Sequence, residues 1–212
     1  DGHVVPTTAL SKGAKVAVAA HAFEGETSHK ISILFRLQSP TEWGDLYSYE
    51  RNTDSLTHRT SRRTFTMPRA LAAKVRAPTE AVLDDGCHAL IYLPLKPGVV
   101  RAVCWGHGGP MANHAYEFAP SFNWLADQGY VVVVPHFPGS TGFGLEFMDA
   151  VRGDGCGQAD FGAFCNAGRQ VLEGKIELPE GYTLDTSRGV AAAGHSWGGY
   201  LSLLAATRGD SP

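Results

Sequence analysis

The clearest chemical signal in the chain is the pentapeptide Gly-His-Ser-Trp-Gly at 194–198. A Gly-x-Ser-x-Gly sequence can place its serine on a sharp turn between a strand and a helix, where the hydroxyl is free to attack a carbonyl carbon. Apolar residues at 190–193 predict the strand, and those from position 197 onward predict the helix. We therefore predict that Ser196 is a nucleophile in an elbow whose tight backbone depends on Gly194 and Gly198.

A second glycine-rich segment, Gly-His-Gly-Gly-Pro at 106–110, follows a predicted buried strand over 99–105. Glycines at such a position let main-chain N–H groups point into a site and stabilise an oxyanion. In enzymes with a serine elbow, one donor comes from this loop and the other from the residue after the nucleophile. We predict that these donors are the N–H of Trp197 and the N–H of Gly108 or Gly109.

The residues that would activate the serine are missing from this sequence. A serine hydroxyl needs a histidine to accept its proton and a carboxylate to orient that histidine. The 16 residues after Ser196 contain one acid, Asp210, and no histidine. His195 is adjacent, but an elbow turns neighbouring side chains in different directions, and we expect His107 to position the loop or substrate. The sequence thus predicts little or no activity for residues 1–212 alone.

The elements that must hold these residues alternate between strands and helices from about residue 78 onward. Alternating strands and helices predict an α/β protein with a mostly parallel sheet and helices on both faces. The predicted elements are a hairpin around Asp84-Asp85-Gly86 with a return strand at 88–93, strands at 99–105, 130–134 and 189–193, and helices at 118–128, 160–173 and 197–207.

The first part of the chain has a different pattern. Short strands are predicted over 14–20, 31–37 and 45–50, a spacing that favours an antiparallel β module. The polar, basic region 55–72 is expected to be a linker. We therefore predict two domains, divided at residue 60.

Several motifs together resemble the prolyl oligopeptidase family of serine peptidases, particularly its acylaminoacyl-peptidase and dipeptidyl-peptidase branch. The resemblance covers roughly residues 75–208, and a weaker one at 40–57 is similar to the outer strands of a last β-propeller blade. The residues that carry it are 106–110, the Gly-Ser-Thr-Gly-Phe-Gly stretch at 139–144, the Asp160-Phe161 pair and LDTSRGVAAAGHSWGGYLS at 184–202.

The resemblance implies a partial α/β-hydrolase domain at 61–212, preceded by a propeller-blade-like remnant at 1–60. It implies that peptides are cleaved between a propeller and this domain. By position, Ser196 resembles the family's nucleophile, and Trp197 and Gly109 resemble its oxyanion donors.

Two departures from the family's pattern concern the loop at 139–144. Pro138 stands where the family usually has an arginine, and Ala163 and Phe164 stand where a second aspartate usually follows Asp160. We expect these differences to affect the geometry of the loop and not the elbow.

Three functions remain open on the sequence. The leading one is a serine peptidase that cleaves short peptides through an acyl-enzyme on Ser196. An esterase or lipase on the same fold is the alternative within enzymes. A non-catalytic, truncated paralogue that acts as a binding protein is the alternative outside them.

Composition and motifs exclude other classes of function. With a net charge of -3 and a pI of about 6.3, the chain has no bulk charge to attract nucleic acid or an anionic membrane. No apolar run approaches 18 residues, no signal peptide is visible, and no metal-ligand spacing or dinucleotide fingerprint is present. We expect a cytoplasmic protein without metal or cofactor, with four scattered, buried thiols. The oligomeric state is open.

Overall fold

The computed structural model describes residues 21–24, 31–50, 53–59 and 69–208 of the chain. The strand predicted over 14–20 lies outside these residues. None of the helices in the described ranges combines the length and hydropathy needed to span a lipid bilayer. Within the same ranges, no three His, Cys, Asp or Glu side chains are grouped so that they could hold a metal ion.

The first of two compact units comprises residues 1–77 with 115–119 and contains a four-stranded antiparallel sheet. Across its two central strands the rings of Phe35 and Tyr47 stack, with centroids 6.0 Å apart. The strands predicted over 31–37 and 45–50 are confirmed. The sheet follows chain order: β1 (His21–Glu24), β2 (Ile31–Ser39), β3 (Glu42–Glu50) and β4 (Ser55–His58).

The prediction of a linker over 55–72 is wrong at both of its ends. Residues 55–58 form β4, which pairs with β3, and a short helix, α1, occupies Arg69–Ala72. β4 is polar because it lies at the edge of its sheet, so its composition resembles that of a loop. The pairing with β3, and not the local sequence, makes it a strand.

The second unit comprises residues 78–114 with 120–212 and is built on a mixed sheet of order β10-β7-β8-β6-β5, with β9 also paired to β7. The prediction of a mostly parallel sheet holds for β10, β7, β8 and β9, whereas β6 and β5 run antiparallel to their neighbours. The strands are β5 (Thr79–Val82), β6 (His88–Tyr92), β7 (Gly98–Gly106), β8 (Tyr130–Pro135), β9 (Tyr182–Leu184) and β10 (Ala191–Gly194).

Helices cover both faces of this sheet, as predicted. Val131 to Val134 of β8 are 0–1% exposed, and their side chains face opposite sides of the sheet in alternation. Phe122 of α2 packs on the face that carries Tyr92, while α4 and α5 pack on the face of Val133. The helices are α2 (Pro120–Asp127), α3 (Leu145–Asp149), α4 (Ala159–Leu172) and α5 (Trp197–Thr207).

Two details of this unit differ from the sequence predictions. The short helix α3 lies in the glycine-rich segment after β8, where only a loop was expected. Cys87, Cys104 and Cys165 are buried as expected, but Cys156 is exposed because it lies in the turn before α4.

The strand that leads to Ser196 is less buried than its sequence suggests. Ala191 and Ala192 of β10 are exposed, although an apolar run of this kind predicts a buried strand. In the described part of the chain, β10 is the end strand of its sheet and pairs only with β7.

Candidate active site

Ser196 lies on the turn between β10 and α5. Its backbone has φ 52° and ψ −112°, a region that residues with a side chain rarely adopt. Such a conformation costs about 1–3 kcal/mol and persists only where the surrounding structure enforces it. The side chain is exposed at the first turn of α5, where backbone N–H groups and the helix dipole favour negative charge. The structure thus has a strained turn between a strand and a helix at the position predicted for the elbow.

Close packing of three glycines enforces this turn. A Cβ atom on Gly198 would overlap the main chain of Gly106, and one on Gly194 would overlap the main chain of Gly198. The end of β10 and the first turn of α5 therefore lie directly against the end of β7. Any larger residue at these positions would push Ser196 away from the loop after β7.

The loop at 106–110 lies against the elbow. An ideal Cβ on Gly108 would stand 3.4 Å from Ser196 Cβ and 3.3 Å from His195 Nδ1. The N–H of His195 donates to Gly106 O at 3.2 Å and joins the two segments. Gly109 has φ 131°, which favours glycine, and a cis peptide bond links it to Pro110. The structure thus brings the two glycine-rich motifs together.

His107 points away from the solvent into the body of the unit. Its ring is 1% exposed and stacks on Phe137 at 4.1 Å between centroids. Nδ1 lies 2.7 Å from Gly108 O, and Nε2 lies 2.7 Å from Ser140 Oγ. A carbonyl oxygen only accepts, so the Nδ1–H of His107 donates to Gly108 O. The hydroxyl of Ser140 donates to Phe137 O at 2.6 Å, and that carbonyl also accepts the N–H of Ser140, so His107 and Ser140 form one buried network that ends at Phe137.

Two further histidine rings lie close to the ring of His107. His114 and His136 lie 6.2 Å and 6.1 Å from it between centroids. Burial lowers the pKa of His107 to about 4 and that of His114 to about 4, and it also lowers the pKa of His136. His136 Nε2 donates to His114 O at 3.0 Å, whereas the buried His136 Nδ1 and His114 Nε2 have no hydrogen-bond partner among the described residues. All three rings are therefore neutral at pH 7.

No candidate base is in contact with the serine hydroxyl among residues 21–24, 31–50, 53–59 and 69–208. Both ring nitrogens of His107 are engaged elsewhere. The side chain of His195 is exposed and makes no hydrogen bond to Ser196. Asp210 lies outside the described residues.

The sequence predictions missed Ser140. Its side chain is 0% exposed and lies between His107 and the carbonyl of Phe137. The stretch at 139–144 indicated only a loop at the rim of the site. Spacing alone does not indicate a contact that joins residues 33 positions apart.

The sequence model of the prolyl oligopeptidase family matches residues 116–211. The chain is 30% identical over 172 residues to dipeptidyl aminopeptidase BIII of Pseudoxanthomonas mexicana, a match that covers 76% of this chain and 23% of the relative. It is 32% identical over 126 residues to dipeptidyl peptidase family member 6 of Caenorhabditis elegans, covering 59% of this chain and 16% of that protein. The chain thus spans at most about a quarter of the length of these relatives.

Among solved structures, an acylaminoacyl peptidase of Pyrococcus horikoshii has a similar fold, with a TM-score of 0.66 at 20% identity. That match covers 95% of this chain and 30% of the other. At this identity the likeness establishes the fold alone, an α/β-hydrolase fold for the unit that carries Ser196. The elbow, the apposed loop and the matched sequence agree, and the chain belongs to the prolyl oligopeptidase family.

Proposed function

We propose that this protein is a serine peptidase that cleaves short peptides through an acyl-enzyme on Ser196. The observation that carries the proposal is the exposed Ser196, held at positive φ against the loop of Gly108. Backbone strain of this kind is maintained where a reactive group must be presented. The names of the relatives, a dipeptidyl aminopeptidase and an acylaminoacyl peptidase, support a peptide substrate.

In the proposed reaction, Ser196 Oγ attacks the carbonyl carbon of the scissile peptide bond. The N–H of Trp197, the first residue of α5, donates to the developing oxyanion. The intermediate collapses to an ester on Ser196 as the C–N bond breaks, and the amine leaves with the proton that Ser196 Oγ gave up; water then hydrolyses the ester and releases the acid. This chemistry lies in the predicted domain 61–212.

We assign the second oxyanion donor to Gly109 and the positioning of its N–H to His107. The C=O and N–H bonds of a trans peptide point in opposite directions. By binding Gly108 O, His107 Nδ1–H therefore directs the N–H of Gly109 to the opposite side of that peptide. If the loop rotates in the complex, the N–H of Gly108 is the alternative donor.

The test of the nucleophile is labelling by a fluorophosphonate probe, which reacts only with an activated serine. The protein as the cell makes it should be labelled, and its Ser196→Ala variant should not. Residues 1–212 alone should show little or no labelling, because no described residue contacts Ser196 Oγ as a base. Loss of triad members typically reduces turnover by a factor on the order of 10⁴ to 10⁶. Equal labelling of Ser196→Ala would refute the proposal.

Activity on different substrates distinguishes the peptidase from the esterase or lipase and from the non-catalytic binding protein. A peptidase should hydrolyse dipeptidyl and acylaminoacyl amides, whereas an esterase or lipase should prefer short acyl esters. A folded protein that binds peptides but turns over neither class would instead support a non-catalytic role. A cytoplasmic location stays a prediction, to be checked by cell fractionation.

A further inference from the structure

The side chain of Trp197 is tied to a buried carboxyl group on a neighbouring helix. Its indole Nε1–H donates to Asp160 Oδ2 at 2.7 Å. Asp160 is 0% exposed and lies in the first turn of α4, 37 positions earlier in the chain. The bond therefore joins the beginnings of α4 and α5.

Asp160 is itself held in place, so it can act as a fixed anchor. Its second oxygen, Oδ1, accepts the N–H of Phe161 at 2.9 Å. The carboxyl group lies at the start of α4, where the helix dipole favours its negative charge. Since each oxygen accepts one donor, an asparagine here could satisfy only one of the two N–H groups.

The anchored residue is the one whose main chain matters for the proposed chemistry. Trp197 directly follows the strained Ser196, and its ring also packs on Tyr200 at 4.8 Å between centroids. An indole has a single N–H donor, so the bond to Asp160 fixes both the direction and the depth of the ring. A bond that fixes the ring also restrains the Cα atom of Trp197, to which both the ring and the main-chain N–H are attached.

We propose that Asp160 is a positioning residue of the active site, which acts through the Trp197 side chain to hold the Trp197 N–H in line with the oxyanion. This inference rests on the proposed function of Ser196 and Trp197. Glycine packing fixes the elbow from the side of Gly106, and the Asp160 bond fixes it from the side of α4. The main-chain N–H of Trp197, whose direction is set in this way, would stabilise the transition state and would not strengthen substrate binding.

The test is a double-mutant cycle in the protein as the cell makes it, with a dipeptidyl amide as substrate. Trp197→Phe, which removes the bond, should lower kcat about 10-fold and leave KM within twofold, because a misdirected oxyanion donor costs kcat. Asp160→Asn, which can satisfy only one of the two N–H groups, should lower kcat by no more than this and also leave KM within twofold. The double variant should lose no more kcat than Trp197→Phe alone, since Asp160 acts through the bond that Trp197→Phe removes. The Val171→Ala variant, which opens a buried site elsewhere on α4, should lose stability but keep kcat.

Each outcome decides a separate point. If Trp197→Phe keeps kcat while the melting temperature falls, the bond is only structural and the inference is wrong. If Asp160→Asn does not fold, Trp197→Phe alone decides, because it keeps both the main chain and the carboxyl group. If the Ser196→Ala variant retains activity, the proposed function is wrong. If Ser196→Ala is inactive and Trp197→Phe is fully active, only the role of Asp160 is refuted.

Discussion

The buried histidines around the oxyanion loop should make this protein sensitive to mild acid. Burial holds the pKa of His114 near 4 in the folded protein, against about 6.5 in an unfolded chain. Between these two values the unfolded chain binds the proton and the folded one does not, so stability falls as the pH falls from 6.5 towards 4. From pH 7.5 to 5.0 this one ring should cost about 2 kcal/mol. His107 should add a similar amount.

The His114→Phe variant isolates this effect. The imidazole Nε2 has no hydrogen-bond partner, and the ring packs edge-on against Phe122 at 4.9 Å, so a phenyl ring keeps the contact. Urea unfolding at pH 7.5 and pH 5.0 should give a loss of stability about 2 kcal/mol smaller for His114→Phe than for the parent. The groups nearest to His114 are His107, His136 and His195, and each remains in the variant.

A packing control separates titration from lost contacts. Phe122→Leu, in the same cluster, should lower stability by a similar amount at both pH values, because it removes no titrating group. If His114→Phe loses as much stability as the parent between pH 7.5 and 5.0, the ring titrates normally in the folded state. The argument from burial would then be refuted.

Two further substitutions test the packing of the site. Gly198→Ala should lower the free energy of unfolding in urea by about 3 kcal/mol and abolish labelling of Ser196, because the added Cβ would overlap Gly106. The control is Gly162→Ala on α4, whose Cβ meets no atom and which should be neutral or stabilising. Normal labelling of Gly198→Ala would contradict this packing. Ser140→Ala should cost about 1–3 kcal/mol and lower kcat, because it removes the buried hydroxyl that lies between His107 Nε2 and Phe137 O, and unchanged urea unfolding together with unchanged kcat would argue against that network.

The sequence by itself determined the local parts of this site. The pattern of the elbow at 194–198, a strand, two glycines and a helix, lies within about 15 residues and is therefore visible along the chain, although its packing also needs Gly106. The β-branched run at 130–134 predicted a doubly buried strand for the same reason, and β8 confirms it.

Tertiary structure decided whatever depends on partners distant in sequence. β4 is a strand only because β3 pairs with it, and the apolar β10 is exposed because it ends its sheet in the described chain. The bonds from His107 to Ser140 and from Trp197 to Asp160 span 33 and 37 positions. No periodicity encodes such contacts, because they arise only when the sheet brings the loop after β7, the loop after β8 and the starts of α4 and α5 to one edge.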